Sequence, residues 1–194
     1  MPKLGMEPIR KAALVKATIT EIGRVGSLDV TVSQIAKRAG MSSALAHHYF
    51  GSKDEIFLAA MRHVLTLYGA EVRGALAVAS GPDQRLRAIL AASFTPGNFR
   101  REVVGAWLNF YVLAQTMPEA KRLLAIYQRR LRSNLLAGLR PLCGARADEI
   151  AEGLGALIDG LYLREVLKSG PPDGAAAVAT ALAYLDSELR EKTQ

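Results

Sequence analysis

The side chains best suited to bind an anion lie in one short stretch near the N-terminus, residues 31–53. Thr31 and Ser42 carry hydroxyls that can accept hydrogen bonds from the free backbone amides at the start of a helix. Such a helix start also attracts phosphate oxygens. Lys53 places a cation in the first turn of a later helix, where the helix dipole disfavours it. A phosphate neighbour would explain that placement, so the stretch predicts contacts with a nucleic-acid backbone.

The spacing within this stretch is typical of a helix-turn-helix. Two helices that cross closely need a small residue at the crossing, which Ala36 supplies, and a turn residue four positions later, which is Gly40. Met41 follows as an apolar plug, and Ser42 can cap the second helix. A helix placed in this way can enter the major groove of DNA. The alternative is an ordinary pair of short core helices, but the spacing, the caps and the local positive charge favour DNA binding.

The side chains of the second helix are the candidates for contact with bases and the adjoining backbone. We predict that His47 contacts a base and that His48 or Tyr49 reaches a phosphate. Ser43 and Ala44, at the start of this helix, complete the predicted interface. Adjacent histidines point to different faces of a helix, so His47 and His48 make a poor metal-binding pair. The other interpretation is that these side chains are simply exposed or line the core.

The elements that must position these residues are helices throughout, because helical spacing of apolar residues recurs and strand-like alternation does not. The sequence predicts an all-α protein of about nine helices. A three-helix helix-turn-helix is followed by an antiparallel helical domain. The first predicted helix covers about 7–25 and the eighth roughly 147–169. The second helix opens at Thr31 and ends at Gly40, the third runs from the Ser42 cap to Phe50, and the fourth starts at the Ser52 cap. The fifth starts at Gly81-Pro82-Asp83, the seventh at Pro118, and the ninth follows Asp173.

Composition and charge restrict the class of protein. The chain has 194 residues, 50% of them hydrophobic, which is enough to bury a substantial core. Its single cysteine cannot form an internal disulfide, and no apolar run reaches the length of a signal peptide or a membrane span. We therefore expect a cytoplasmic protein that does not enter a membrane. The net charge of +7 favours an anionic partner, and basic residues recur in the first third of the chain: Lys3, Arg10, Lys11, Lys16, Arg24, Lys37, Arg38, Lys53 and Arg62.

Motifs for catalysis are missing from the sequence. It contains no phosphate-binding loop, no dinucleotide-binding GxGxxG after a strand, no nucleophile elbow and no Cys/His cluster with metal-ligand spacing. We expect no enzymatic activity, no metal and no cofactor. An architectural DNA-binding protein without a sensor is a competing class, and the large C-terminal region with its aromatic residues argues against it.

Those aromatic residues predict a site for a small cation. Quaternary ammonium ions bind among aromatic faces by cation–π attraction, and an acidic side chain can complement the charge. Aromatic residues at helical spacing also pack as ordinary core, and Asp159 could be an interface or buried hydrogen-bonded carboxylate, so both interpretations stay open. The predicted ligand-binding residues are Phe94, Glu102, Trp107, Phe110, Tyr111, Tyr127, Asp159 and Tyr162.

The N-terminal motif resembles the TetR family of regulators, most of which are repressors. The resemblance is carried by Thr31, Ile35-Ala36, Ala39-Gly40-Met41-Ser42, His48-Tyr49-Phe50-Gly51-Ser52-Lys53 and Ile56. Further segments resemble the branch of that family that represses choline-to-glycine-betaine genes. They are residues 1–10, 43–50, 106–108, 130–134 and 157–164.

This resemblance implies a homodimer whose recognition helices occupy successive major grooves of a pseudo-palindromic operator. Its last two long helices would form the dimer interface. Residues 1–52 would be the DNA-binding domain, and residues 53–194 would sense a ligand and dimerise. Choline or a related small cation would release the repressor, by favouring a dimer whose fourth helices hold the recognition helices at the wrong separation. The alternative is a repressor of an efflux or other metabolic operon that responds to a different small hydrophobic or cationic ligand.

Overall fold

The computed structural model describes residues 5–190, which form nine α-helices, one short 3₁₀ turn and no strand. The predicted all-α class is therefore confirmed. Two short ranges lie outside the described residues, namely 1–4 and 191–194. The first contains Lys3 and belongs to the segment 1–10 that resembles the choline-responsive branch, and the second ends the predicted second domain. The helices are α1 (Met6–Val25), α2 (Val32–Arg38), α3 (Ser43–Phe50), α4 (Lys53–Val78), α5 (Gly81–Ser93), α6 (Arg101–Thr116), α7 (Pro118–Cys143), α8 (Ala147–Leu167) and α9 (Gly174–Arg190).

The starts of the short N-terminal helices follow from side-chain caps. At α2 the Thr31 hydroxyl accepts from the backbone N–H of Gln34 at 3.2 Å, and the Gln34 side chain accepts from the Thr31 backbone N–H at 2.7 Å. This reciprocal capping box satisfies two amides that the helix leaves unpaired. The Ser42 hydroxyl caps α3, where it accepts from the Leu45 N–H at 3.2 Å. Both predicted helix starts are confirmed.

The chain divides into two compact units. The first comprises the residues up to Val64 together with Arg101–Lys121, so α6 belongs with the N-terminal helices. Inside this unit α1 packs closely against α6, since a Cβ atom on Gly23 would overlap the backbone of Glu102. Gly105 faces the same crossing, where a Cβ would lie 3.2 Å from the Gly23 Cα. The predicted division into residues 1–52 and 53–194 is a division by function, and it stays a prediction.

The second unit comprises Leu65–Arg100 and the chain from Arg122 onward. Its core is made of fully buried aliphatic side chains from α5, α7 and α8, among them Leu86, Leu90, Leu139 and Leu154. Of the glycines on α8, Gly153 leaves room for the Tyr184 side chain of α9, because a Cβ there would overlap the Tyr184 hydroxyl. Burial of this apolar surface is the main force that holds the unit together. Within residues 5–190, none of the helices combines the length and the hydrophobicity that crossing a membrane requires.

Candidate nucleic-acid interface and small-molecule site

The turn between α2 and α3 is built as the sequence predicts. Ala36 is fully buried where the two helices cross, and its carbonyl accepts from the Met41 backbone N–H at 3.0 Å. Gly40 adopts φ 70°, a left-handed conformation that a residue with a side chain rarely takes. Ala46 on α3 is also fully buried. These contacts fix α3 on α1 and α2 and leave its opposite face to solvent.

The outward face of α3 carries the predicted base-reading residues. Ala44, His47 and His48 are exposed, and Ser43 and Tyr49 are half-buried. The His47 Nδ1 lies 3.1 Å from the Gly51 carbonyl oxygen, and because a carbonyl only accepts, Nδ1 is the donor. The Nε2 atom of His47 is then the ring nitrogen that remains for a partner outside the helix.

Two of the side chains predicted to contact phosphate, Thr31 and Tyr49, already form hydrogen bonds within the protein. The Thr31 hydroxyl accepts from the Gln34 N–H and also lies 3.0 Å from the Gln34 side-chain oxygen, so the capping box occupies it. Thr31 therefore contributes to an anion site through the helix start that it fixes. The Tyr49 hydroxyl accepts from the Arg10 guanidinium at 3.4 Å, which joins α3 to α1.

Lys53 lies in the first turn of α4, half-buried, with its ammonium 5.3 Å from the centre of the Phe57 ring. It forms no ion pair with any described residue, and the same is true of Lys37 at the exposed end of α2. A lysine ammonium that forms no internal ion pair can attract a phosphate group. The structure thus leaves Lys53 available for the role that its position predicts.

A buried carboxylate that the sequence did not point to organises the same region. Glu21 on α1 is 3% exposed and accepts hydrogen bonds from Arg24 and from Arg38 at the end of α2. The hydrogen bond from Arg24 lowers the pKa of the Glu21 carboxyl, and Arg38 lowers it further. The Arg24 pair could have been read from its three-residue spacing, whereas the Arg38 pair spans 17 residues and depends on the fold.

The second unit contains an aromatic cluster, which we define as Phe94, Phe99, Tyr162, Tyr68 and Tyr127. The Phe94 and Phe99 rings lie 5.0 Å apart, and the Tyr162 ring lies 5.9 Å and 4.9 Å from them. Tyr68 packs against Tyr127 at 5.6 Å. Phe94, Tyr127 and Tyr162 were predicted ligand-binding residues. Tyr68 and Phe99 were not, because Tyr68 resembles part of an apolar stripe and Phe99 falls between the fifth and sixth predicted helices.

The two buried tyrosine hydroxyls of the aromatic cluster are hydrogen-bonded, and the carboxylates of Asp159 and Glu71 act on them. The Tyr162 hydroxyl donates to the Ser93 carbonyl at 2.6 Å, and the Tyr68 hydroxyl lies 3.2 Å from the Ser93 hydroxyl. Burial raises the pKa of both tyrosines, and the negative charge of Asp159 raises both further. Glu71 also raises the pKa of Tyr162. The tyrosines therefore stay neutral.

Glu71 is a further candidate that the sequence did not single out. Its carboxylate accepts from the Asn98 side chain at 2.7 Å and from the Thr95 hydroxyl, and so it closes the turn between α5 and α6. Its position three residues after Tyr68 places both side chains on one face of α4, which is the one signal that the sequence offered.

Four of the other five predicted ligand-binding residues lie on α6, in the first unit. Trp107 packs against Phe110 at 6.1 Å and Tyr111 at 6.0 Å between ring centres. Trp107 and Phe110 are buried, Tyr111 is half-buried, and Glu102 borders the α1 crossing through its backbone. Asp159 on α8, in the second unit, lines a groove with Tyr127. Among residues 5–190, no group of His, Cys, Asp or Glu side chains has the arrangement of a metal site.

Two family descriptions match this chain. Residues 14–60 match the bacterial regulatory proteins of the tetR family, and residues 82–190 match the C-terminal domain of the BetI-type transcriptional repressors. The HTH-type transcriptional regulator BetI of Brucella suis biovar 1 (strain 1330) is 52% identical over 190 residues, which cover 97% of this chain and 96% of that protein. The protein of the same name from Rhizobium meliloti (strain 1021) is 50% identical over 191 residues, 98% of this chain and 94% of its own length.

Solved structures share the fold. A transcriptional regulator from Pseudomonas aeruginosa PAO1 superposes with a TM-score of 0.80 at 28% identity, over 97% of this chain and 93% of its own. A transcriptional regulator from Saccharomonospora viridis, solved in complex with choline, superposes with a TM-score of 0.79 at 23% identity, over 91% and 95% of the two chains.

Proposed function

The chain belongs to the TetR family of bacterial regulators, with a BetI-type C-terminal domain, and from that premise we propose that it is a choline-responsive repressor of the genes that convert choline to glycine betaine. Membership of this family makes it a sequence-specific DNA-binding transcriptional repressor, not an enzyme. Its site of action is the cytoplasm, where a bacterial operator lies. The relatives that carry the BetI name and the choline-bound fold neighbour support the choice of effector.

The DNA-reading surface in this proposal is the outward face of α3. Ala44, His47 and His48 point to solvent and would meet base edges and the adjoining backbone. Ser42, Ser43, Tyr49 and the helix start at Thr31 would hold the flanking phosphates, together with Lys53. These are the residues that the sequence predicts for the DNA interface. Thr31 would contribute through the free backbone amides of the helix start that it caps, and not through its own hydroxyl.

The single observation that carries the choice of a cationic effector is the chemistry of the aromatic cluster. Five aromatic rings gather in the second unit, and the carboxylates that act on its buried tyrosines are Glu71 and Asp159. Aromatic faces and carboxylates attract a quaternary ammonium, and neither attracts an anion. Trp107 and Tyr111 on α6, in the first unit, stay predicted ligand-binding residues.

The α4 helix offers the route by which the effector would act on DNA binding. It is one continuous helix that begins at Lys53 and carries Tyr68 and Glu71 of the effector site. A cation that displaces these side chains would favour a second position of α4, and with it a different separation of the two recognition helices. The coupling is the difference in effector affinity between the two states, typically about 1–3 kcal/mol.

The test is fluorescence anisotropy of the purified protein on DNA from upstream of its own gene, at fixed salt, with and without choline. We expect tight, sequence-selective binding that choline weakens by about 5-fold or more. Selective binding that choline leaves unchanged would discard this effector and favour a repressor that responds to another hydrophobic or cationic ligand. Binding without selectivity would contradict the proposed operator.

We also propose a homodimer that pairs α8 and α9 with the same helices of a second copy. Leu163 and Leu167 on α8 are 49% and 77% exposed, and Ala176, Ala179 and Ala183 form an exposed apolar face on α9. Apolar faces of this kind are typical of helices that pack against a partner. Light scattering should give twice the mass of one chain, and a monomer at micromolar concentration would contradict the proposal.

A further inference from the structure

The C-terminal end of α3 holds the His47 ring in one orientation. The ring Nδ1 lies 3.1 Å from the Gly51 carbonyl oxygen, and the Gly51 N–H donates to the His47 carbonyl at 2.6 Å. His47 and Gly51 are therefore joined twice, once through the backbone and once through the side chain. The side chain of His47 is nevertheless exposed, so its other ring nitrogen, Nε2, remains for a partner outside the helix.

A strained turn at the end of α3 makes this contact possible. Gly51 adopts φ 75° and ψ −62°, and the Ser52 N–H donates to the Phe50 carbonyl at 2.9 Å. These are the features of the γ-turn with positive φ, which is rare and strained. In a continuing helix the carbonyl of residue 51 would point along the axis, away from His47. The turn instead brings that carbonyl within hydrogen-bonding distance of the ring, and glycine tolerates the positive φ.

The hydrogen bond to Gly51 decides what Nε2 of His47 can bind. A carbonyl oxygen only accepts, so in the neutral imidazole the single N–H is on Nδ1 and Nε2 carries a lone pair. In the major groove an acceptor finds a donor on two bases, at the N4 amino group of cytosine and the N6 amino group of adenine. Guanine O6 and N7 and thymine O4 are acceptors, and their lone pairs would face the lone pair of Nε2.

We propose that His47 is a specificity-determining residue, whose Nε2 accepts a hydrogen bond from the exocyclic amino group of one cytosine or adenine in each half of the operator. The Gly51 carbonyl is the positioning group, because it fixes the ring and keeps the proton on Nδ1. The assignment rests on the proposed DNA-reading face of α3. His48 is the contrasting neighbour, since it is also exposed but packs its ring against Tyr49, with 5.5 Å between the ring centres.

Fluorescence anisotropy of the full chain at fixed salt tests the assignment at pH 8, above the ordinary titration range of histidine. The probes are duplexes from upstream of the protein's own gene in which each base pair is replaced in turn. We expect one position in each half-site where cytosine or adenine is preferred over guanine and thymine by about 5-fold. His47→Phe keeps a ring without an acceptor and should lose this preference, whereas His47→Gln restores an acceptor oxygen and should recover part of it. His48→Phe is the matched control and should keep the preference.

Methylated bases separate a hydrogen bond to the amino group from a contact with the shape of the base. N4-methylcytosine or N6-methyladenine at the same position replaces the amino hydrogen in the major groove by a methyl group and keeps the base pair. The parent should bind such a duplex about 5-fold more weakly, and His47→Phe should bind it as it binds the plain duplex. The controls are 5-methylcytosine and 7-deazaadenine, which change the same base edge and leave the amino hydrogen in place.

Nitrogen NMR of the DNA-free protein at pH 8 measures the tautomer directly and should place the His47 proton on Nδ1. A proton on Nε2 would overturn the proposal, as would full base preference in His47→Phe or unchanged binding of the parent to the methylated bases. If the parent still binds selectively in these cases, the DNA-reading face stands and only the role of His47 is rejected. A parent without any selective binding would contradict both.

Discussion

The region around α2 and α3 and the aromatic cluster of the second unit are built by contacts of different range. The caps of the first region join residues three positions apart, as in Thr31 with Gln34 and Ser42 with Leu45. In the second region the Tyr162 hydroxyl reaches a carbonyl 69 residues away, and Glu71 accepts from a side chain 27 residues away. Local contacts form as soon as a helix forms, whereas distant contacts need the whole unit. We therefore expect the two regions to respond differently to substitution.

The largest expected effect is a loss of stability at the close crossing of α1 and α6, which is a distant contact within the first unit. Gly23→Ala places a methyl group on the backbone of Glu102 and should destabilise the protein by about 3 kcal/mol, because the backbone cannot move aside. Urea denaturation followed by circular dichroism measures the change. Gly74→Ala, in open space on α4, is the control and should be neutral or stabilising by up to about 1 kcal/mol. Equal effects of the two variants would contradict the close α1–α6 crossing.

The next effect tests the acidic character of the aromatic cluster. Glu71→Gln retains an oxygen that can accept from Thr95 and Asn98 and removes the charge, so choline affinity should fall roughly 10-fold, or about 1.4 kcal/mol. Operator affinity without choline should be unchanged. Glu119→Gln, an exposed carboxylate at the start of α7, is the control. Unchanged choline affinity in Glu71→Gln would place the cation away from this carboxylate.

A smaller effect concerns pH and the buried Glu21 carboxylate. Its pKa in the folded protein is lowered from the ordinary 4.5, first by the hydrogen bond from Arg24. Its contribution to stability is therefore fully present above pH 4.5 and is lost as pH falls through the folded pKa. Glu21→Gln should be about 1–2 kcal/mol less stable than the parent at pH 7, and the difference should shrink towards pH 3.

The matched control for Glu21 is Glu7→Gln. Glu7 pairs with Lys11 on the exposed face of α1, where water screens the ion pair. Its removal should leave the urea midpoint unchanged at every pH. A parallel loss of stability in both variants would mean that the burial of Glu21 and its pair with Arg38 do not matter.

The smallest expected effect belongs to a single phosphate contact. Lys53→Ala should weaken binding to all DNA sequences and reduce the slope of log affinity against log salt by roughly one. Lys121→Ala, an exposed lysine on α7, should leave the slope unchanged. Anisotropy titrations across a salt series measure both. An unchanged slope in Lys53→Ala would remove this ammonium from the DNA interface.

The sequence by itself determined the two short helices α2 and α3 and the turn that joins them. The helix starts at Thr31 and Ser42, the turn at Gly40 and the buried crossing at Ala36 follow from interactions within five residues of chain. Such interactions depend on residue type and spacing alone. The same reasoning predicted the outward position of His47 and the helical character of the whole chain.

Only the tertiary structure decided which distant side chains meet. It placed α6 in the unit of the DNA-reading helices, paired Glu21 with Arg38, and brought Phe99, from the connection between the fifth and sixth predicted helices, against the Tyr162 ring. Helical periodicity indicates which face of a helix is buried, but it does not say which neighbour covers that face. That choice depends on how helices cross, and the crossing is set by close contacts such as Gly23 against Glu102 that no local pattern encodes.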